Sequence, residues 1–507
     1  MARLIVCCDG TWNTPDQEDN GVPAPTNVYK LHSAIAAADH GHPEQESYYR
    51  EGVGTSGNVL LRVAGGALGA RLSDDIQSAY MWLCKRYRPG DEIFLFGFSR
   101  GAFSVRSLAG LMCLCGLFDF RSHPLEDKAA WEELKKAYKH YREKPKKAWV
   151  PQRPSHPNVP IHFLGVWDTV GALGIPDELF LNFFDRPDKW QFHNTVLNEK
   201  VKCARHAVAM DERRQAFAPT LWSDVAPGRD VEETWFAGVH GDVGGSYART
   251  GLGDLALQWM MDAAGKRGLV FRDGTQEQLA PSPQGVQHDS VKGVFKRFRT
   301  RPRTVPCINE EAKPAEHWRS AHPSVLRRQA NPPLSRADYW PTRRLVDAQD
   351  VTRQIFAREQ WNATGLYLEA GVTYALEARG EWLDAKIRAT PDGLRAGFSL
   401  GKIAYGAASP FSALQRFRLS RDNPAAATPF AKRDPSRPWM SLIGVIANGE
   451  GVQKMQLVPH QTFFIGSAAR QTPERGGYLY CYANDAWRFY FNNRGKVDLT
   501  VRRVDGP

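Results

Sequence analysis

Ile93-Phe94-Leu95-Phe96-Gly97-Phe98-Ser99-Arg100-Gly101-Ala102 is the stretch whose reading decides the fold. Four apolar residues in a row read as a buried strand, and a G-x-S-x-G turn follows at once. The small residues beyond it, from Ala102 to Leu114, read as a helix. Strand, turn and helix in this order make the context of a nucleophile elbow. Side chains two positions either side of the nucleophile would collide in so tight a turn, hence glycine at 97 and 101. The turn lifts the Ser99 hydroxyl clear of the sheet and aims the Arg100 N–H where an oxyanion would form. The bland alternative is a strand-to-helix turn with a capping serine.

Outward from the elbow, the same pattern repeats. Leu4-Ile5-Val6-Cys7-Cys8 is a wholly apolar strand that ends on Asp9-Gly10-Thr11-Trp12-Asn13. A weak helix follows near 28–38, then a strand over Tyr48 to Arg50, closed by Glu51-Gly52-Val53-Gly54-Thr55. Gly65 to Ala70 is a flexible small-residue stretch. Ile76, Ala79, Tyr80, Leu83, Cys84 and Tyr87 recur at helical spacing, so an amphipathic helix leads into the elbow strand. Ile161 to Trp167 closes on Asp168, Val201 to Met210 on Asp211, and Thr234 to Val239 on His240. A helix follows over Leu252 to Ala264. Apolar strands alternating with helices predict a parallel α/β sheet, and such sheets place their sites at strand ends.

Beyond residue 270 this pattern stops. Residues 271–350 are rich in proline and poor in apolar residues. From Lys292 to Arg303 there are six basic residues and no acidic one, with Phe295 and Phe298 between them. The segment reads as a basic linker or a lid. From about 351 the character is all-β: Val372, Tyr374, Leu376 and Ala378 alternate, as do Tyr478, Tyr480 and Tyr482. The predicted architecture is an α/β-hydrolase-like, mostly parallel sheet over 1–270 and an antiparallel β-sandwich over 351–507.

The bulk numbers bound the partners. The chain has 507 residues, enough for two or three domains, and 42% of them are hydrophobic. A net charge of +11 favours anionic partners without choosing among them. No nucleic-acid reading module is visible, so nucleic acid is not an expected partner. The eight cysteines show no zinc spacing and read as reduced, mostly buried thiols. Met1-Ala2-Arg3 runs straight into a strand, so no signal peptide is expected; synthesis in a cytoplasm is, with export left to separate machinery. No apolar run approaches the ~20 residues of a membrane-spanning helix.

In chain order, Ser99, Asp168 and His240 give Ser…Asp…His, the order of the α/β-hydrolases. His240 would take the Ser99 proton, and Asp168 would fix the imidazole tautomer and stabilise the imidazolium. His206 is the rival base and Asp211 the rival acid. Asp168 also fits an Asx turn, and His240 an ordinary loop histidine. Gly10 and Thr11, where the first strand ends, are the candidates for the second oxyanion donor beside Arg100. No cofactor is needed for this chemistry. A different class, a metal-dependent hydrolase built on Asp9, His240 and Asp242, stays open, as does a carbohydrate-binding protein without catalysis.

Six spaced motifs carry a family resemblance. They are Cys-Cys-Asp9-Gly-Thr-Trp-Asn13, Arg50-Glu-Gly-Val-Gly-Thr55, Gly97-Phe-Ser-Arg-Gly-Ala-Phe-Ser104, Val166-Trp-Asp-Thr-Val170, His206-Ala-Val-Ala-Met-Asp-Glu-Arg213 and Val239-His-Gly-Asp-Val-Gly-Gly245. Together they resemble the catalytic domain of the type VI secretion phospholipase effector family, over about residues 1–340. The resemblance implies a lipase of phospholipase A type with Ser99, Asp168 and His240 as its triad. It also implies an antibacterial effector exported to a target cell, with a phospholipid membrane surface, a secretion apparatus and an immunity protein as partners.

The C-terminal part resembles the PA-I type galactophilic lectin. The pieces that carry this are Trp361-Asn-Ala-Thr-Gly365, Gly371-Val-Thr-Tyr374, Arg379-Gly-Glu-Trp382, Leu442-Ile-Gly-Val445 and Asn484-Asp-Ala-Trp-Arg-Phe-Tyr-Phe-Asn-Asn-Arg-Gly495. It implies a glycan partner and a Ca²⁺ ion held by Asp485, Asn492 and Asn493, oxygen ligands that suit calcium. Trp487 and Arg488 depart from the lectin pattern, and a plain Asn-Asn-Arg-Gly hairpin turn is the alternative.

Overall fold

The computed structural model describes residues 1–504 except 12, 38–43, 53–66, 144–148, 172–196, 224, 298, 309–318, 335–338, 347–348, 395–431, 450–451, 454–455 and 488. Trp12, Val53, Gly54, Thr55, Gly65, Gly66, Phe298 and Arg488, which the sequence singled out, thus lie outside the described residues. Seven strands make the first sheet: β1 (Arg3–Cys8), β2 (Gln45–Arg50), β3 (Glu92–Phe98), β4 (Phe163–Trp167), β5 (Cys203–Ala209), β6 (Asp230–Phe236) and β7 (Arg319–Ala321). Their spatial order is β2-β1-β3-β4-β5-β6-β7, and every pairing is parallel. β1 and β3 lie side by side with Cys8 opposite Gly97. The strand order turns back at this pair, which opens a crevice beyond its C-terminal ends.

Helices cover both faces, as two-sided apolar strands require. On one face α2 (Ala67–Cys84), α3 (Ser99–Cys115) and α4 (Asp127–Glu143) pack on Leu4, Val6 and Cys8 of β1. On the other, α1 (Asn27–Ala34) and α6 (Gly251–Lys266) pack on Ile5 and Cys7. Cys7 and Cys8 therefore face opposite layers, as their adjacency on a strand predicts. All eight cysteines are free, and only Cys113 and Cys307 are less than buried.

The segment expected as a linker or lid supplies part of this unit. β7 pairs with β6, Glu233 standing opposite Arg319, and α7 (Pro323–Ala330) adds Val325 to the second core layer. Arg319 Nε donates to the buried Glu233 carboxylate at 2.8 Å, so this edge strand is held by charge as well as by its ladder. Three residues carry no period-two apolar signal, which is why sequence alone did not show it.

The second unit is a sandwich. One sheet runs β9 (Asn362–Leu368), β15 (Gly477–Ala483), β12 (Leu442–Ala447), β13 (Gln461–Phe464). The other runs β8 (Asp350–Phe356), β16 (Asn493–Val504), β10 (Thr373–Asp384), β11 (Ile387–Thr390), with β14 (Ala468–Gln471) also on β10. Leu366, Leu376, Trp382, Leu442, Leu479 and Val497 fill the space between. β15 is buried on both faces. Leu479, Cys481 and Ala483 point into the sandwich, while Tyr478 and Tyr480 pack against the core of the first unit.

Candidate active site

β3 ends on Phe98, and α3 starts on Ser99 with a left-handed backbone at φ 56°. Only a turn this sharp lets the strand reverse into a helix whose first residue stands above the sheet. A Cβ at Gly97 would lie 2.6 Å from Gly101 O, and one at Gly101 only 2.1 Å from Cys8 O. Glycine is thus a steric requirement at 97 within the elbow itself and at 101 against the end of β1. Asp168 follows β4, also left-handed at φ 39°, and its Oδ1 accepts from Ala209 N–H at 2.9 Å. His240 opens the short helix α5 (His240–Gly244) after β6.

These strand ends bring three side chains together. His240 Nε2 lies 2.9 Å from Ser99 Oγ, and His240 Nδ1 lies 2.5 Å from Asp168 Oδ2. The imidazole is held between the rings of Phe98 and Phe217, at centroid distances of 4.6 and 5.0 Å. Ser99, Asp168 and His240 are 4%, 0% and 6% exposed, so little water competes for these bonds. Burial lowers the His240 pKa below its ordinary value, against the pull of Asp168. Burial alone would raise the Asp168 carboxyl, but the Arg303 guanidinium and His240 outweigh it and hold the group well below the carboxylate range.

The loop after β1 stands over the serine. A Cβ on Gly10 would approach the Ser99 Cβ to 3.0 Å. Gly10 N–H donates to Asp9 Oδ1 at 2.7 Å, so its donor is already engaged. Asp9 in turn accepts from Thr26 Oγ1 at 2.5 Å and Tyr49 OH at 2.8 Å, and burial pushes its pKa up to about 6. Arg100 is the second residue of α3, where helix N–H groups point out of the N-terminus.

The rivals take other positions. His206 is buried mid-sheet, its Nε2 accepting from Thr169 N–H at 3.1 Å and its Nδ1 3.4 Å from Glu233. Asp211 accepts from Gly238 N–H at 2.6 Å and Tyr339 OH at 3.2 Å. The metal set of Asp9, His240 and Asp242 is not drawn together. Asp9 serves Gly10, Thr26 and Tyr49, while Asp242 caps Val239 N–H and lies 2.5 Å from His288 Nδ1. The reason is local: Asp242 is two residues past His240 in one helical turn, so its side chain points to the helix start instead of to Ser99.

Three charged residues around Ser99, Asp168 and His240 carry no assigned role in the sequence reading. Arg303 Nη1 and Nη2 donate to Asp168 Oδ1 and Oδ2 at 2.6 and 2.9 Å. Glu212 is bidentate to Arg214, at 2.9 and 2.8 Å, and accepts from His240 N–H at 3.3 Å. Burial would raise the Glu212 carboxyl, but Arg214 brings it down to about 2. The Met210-Asp-Glu-Arg213 motif was a signal for Glu212; nothing in the sequence pairs Arg303 with a residue so far away.

Of the would-be calcium residues, Asn493 meets Asp485, while Asn492 meets Asp384. Asn493 Nδ2 donates to Asp485 Oδ2 at 2.9 Å, and Asn492 Nδ2 to Asp384 Oδ1 at 2.5 Å. The amide oxygens of Asn492 and Asn493 are buried and bonded to nothing among the described residues. Burial and the Asp384 charge push the Asp485 pKa up to about 7. Buried oxygens without donors fit a hard cation. Asn493 starts β16 after a single 3-10 turn, so these asparagines do not form a two-residue hairpin turn.

A parallel sheet with helices on both faces and a serine elbow at its switch point defines an α/β enzyme of hydrolase type. The chain matches the family model of the type VI secretion system phospholipase effector, Tle1-like, catalytic domain over residues 2–263, more than half of its length, and belongs to that family. Among curated proteins it is 32% identical over 241 residues to the uncharacterized protein YEL023C of Saccharomyces cerevisiae. That match covers 42% of this chain and 32% of the yeast protein, so the chain spans about a third of that relative. An uncharacterized protein from Pseudomonas aeruginosa is similar at 20% identity and a TM-score of 0.32, over 56% of this chain and 49% of the other. The Tle1 effector bound to the VgrG spike from the type 6 secretion system is similar at 17% identity and 0.31, over 49% and 51%. The EclA N-terminal domain, a PllA-like lectin, is similar at 18% and 0.19, over 30% of this chain and 95% of that one. Scores this low leave the fold to be argued from the sheets themselves. Among the described residues, no helix is long and apolar enough to cross a membrane.

Proposed function

We propose that the chain is a serine hydrolase that cleaves carboxylic esters of membrane phospholipids, with Ser99, His240 and Asp168 as its triad. One observation carries the reading: the continuous chain from Ser99 Oγ through His240 Nε2 and Nδ1 to Asp168 Oδ2, at 2.9 and 2.5 Å, on a left-handed elbow. His240 Nε2 takes the hydroxyl proton as Ser99 Oγ attacks the acyl carbonyl. Asp168 holds the Nδ1 proton and stabilises the imidazolium. Arg100 N–H and Thr11 N–H receive the oxyanion, with Asp9 bracing the loop through Gly10. His240 then returns the proton to the departing lysolipid oxygen. Water repeats the cycle on the acyl-serine and releases a fatty acid.

Membership of the phospholipase effector family supports the lipid substrate and export by a type VI apparatus, made in a cytoplasm and delivered to a target bacterium. A secretion-spike protein and an immunity protein are the partners that this role needs. In the sandwich, Asp485, Asn492 and Asn493 would hold a Ca²⁺ ion, which supplies a Lewis-acidic seat for glycan hydroxyls when bound. Catalysis by the triad needs no cofactor.

The test is hydrolysis of a defined phospholipid panel by the wild-type chain and Ser99→Ala. The expected outcome is release of fatty acid by the wild type and loss of at least about 10³-fold in the variant. Fatty-acid release by Ser99→Ala at the wild-type rate would sink the triad reading.

A further inference from the structure

The Asp168 carboxylate is wholly buried, and both of its oxygens face one guanidinium. Arg303 donates Nη1 to Oδ1 and Nη2 to Oδ2, the fork-to-fork geometry that fixes a carboxylate in plane and in rotation. The same guanidinium donates to Ala209 O at 2.5 Å and Phe217 O at 2.6 Å, which anchors it to the end of β5 and to the main chain of the residue whose ring packs on His240. Arg303 lies outside the residues that match the catalytic-domain family, 2–263.

The residues beside Arg303 reach the other way. Arg301 Nη2 donates to Val458 O at 2.7 Å and Gly449 O at 3.1 Å, both in the sandwich. Thr304 Oγ1 donates to Gly449 O at 2.6 Å, and His460 Nε2 donates to Pro302 O at 2.8 Å. His460 Nδ1 accepts from Gly449 N–H at 2.9 Å, and Arg301 Nε and Nη2 lie 3.0 and 3.1 Å from the two nitrogens of the same ring. On the catalytic side, Arg301 N–H donates to Arg213 O at 2.6 Å and Gln215 N–H to Arg299 O at 3.2 Å. Residues 299–304 are therefore a strap, tied at alternate residues to the two units.

We propose that Arg303 is a positioning residue of the triad, holding Asp168 for His240, and that the strap makes this hold depend on the sandwich. The inference rests on the triad reading above. Its electrostatic consequence has a definite sign. The groups that face His240 are Asp168, Glu212 and Arg214; those that face Asp168 are Arg303, His240 and His206. Removing Arg303 leaves the Asp168 charge uncompensated against the imidazole. The imidazolium is then favoured, and the base is lost to protonation at a higher pH than in the wild type.

The experiment uses the full chain with Arg303→Gln, Arg303→Lys, Arg301→Ala and Ser99→Ala, read as kcat and KM across pH on a phospholipid that the wild type hydrolyses. Losing the orienting acid of such a triad costs about 10⁴-fold, so loosening that acid in Arg303→Gln is expected to cost on the order of 10²-fold in kcat. KM stays unchanged, and the acid limb of kcat/KM moves to higher pH. Arg303→Lys keeps the cation without the fork; it serves if Arg303→Gln does not fold, and is expected to lose kcat with its acid limb closer to wild type. Arg301→Ala is expected to show a smaller loss of kcat and a shift of the limb in the same direction. A folded Arg303→Gln with wild-type kcat, or with lost kcat and an unmoved limb, overturns the positioning role. If Arg303→Gln does not fold, Arg303→Lys with wild-type kcat overturns it. A folded Arg301→Ala indistinguishable from wild type overturns the dependence on the sandwich. Wild-type hydrolysis by Ser99→Ala would instead overturn the triad itself, whatever Arg303 does.

Discussion

Ser99 and Asp168 stand in left-handed backbone at φ 56° and 39°, and neither is a glycine. A residue with a Cβ in that region carries a strain of about 1–2 kcal/mol. The elbow imposes it on Ser99, because the turn is closed tightly at Gly97 on Gly101 and Ala102 and at Gly101 on the end of β1. Ser99→Ala keeps the strain, while Ser99→Gly relieves it at an unfolded-state entropy cost of about 0.4–1 kcal/mol. Both variants are expected to be inactive, with Ser99→Gly the more stable by about 1 kcal/mol in reversible denaturation. Equal stabilities would mean that the elbow is relaxed. At this scale, Ser99, Asp168 and His240 were legible because each follows an apolar strand, and strand ends of a parallel sheet share one edge. Arg303, Glu212 and Arg214 were not. Their pairing with Asp168 and His240 depends on a tertiary crossing that leaves no spacing in the sequence.

Among elements, β7 and α7 decide where the catalytic unit ends. The apolar pattern stops near 270, yet the sheet continues to Arg319–Ala321 and its second layer to Val325. A chain cut after residue 270 loses β7, the Arg319 partner of buried Glu233 and the Arg303 partner of buried Asp168. Stripping a buried charge of its partner costs about 3–5 kcal/mol. The cut chain is therefore expected to be aggregated or partly unfolded by circular dichroism, and inactive. A cooperative melt and wild-type hydrolysis from residues 1–270 alone would refute this. The long strands β1, β3, β5 and β6 were readable to within a few residues, because runs of buried apolar residues are their own signal. The helix of the elbow starts at Ser99 instead of Ala102, since the glycine at 101 is tolerated at a helix start that packs against Cys8.

For the whole molecule, charge and assembly matter most. The net charge of +11 includes the exposed Lys292 and Lys296 of the strap's approach, next to the turn that rests Phe295 on Phe217 at 5.8 Å. Vesicles rich in phosphatidylglycerol are expected to co-sediment with the protein at low salt and to lose it as salt rises toward 1 M, where the screening length falls to about 3 Å. Binding to phosphatidylcholine vesicles as tight, or insensitive to salt, would refute an electrostatic surface contact. The sandwich was legible as a class from the alternation around Tyr374 and Tyr480. How it docks was not, because Tyr478 and Tyr480 read as one face of an ordinary strand until the other unit covers them.

The strap also has a consequence in time. Arg303 is made 135 residues after Asp168, and the carbonyls that hold Arg301 come 148 and 157 residues after it. A ribosome adds about 5–20 residues per second, so a growing chain spends about 3–13 s between His240 and Arg303, and about 11–44 s between His240 and the Val458 carbonyl that holds the strap. With Arg303 in the role proposed, competence arrives only after the sandwich is made, and a cell that makes the protein meets a working copy only once the sandwich has closed on the strap.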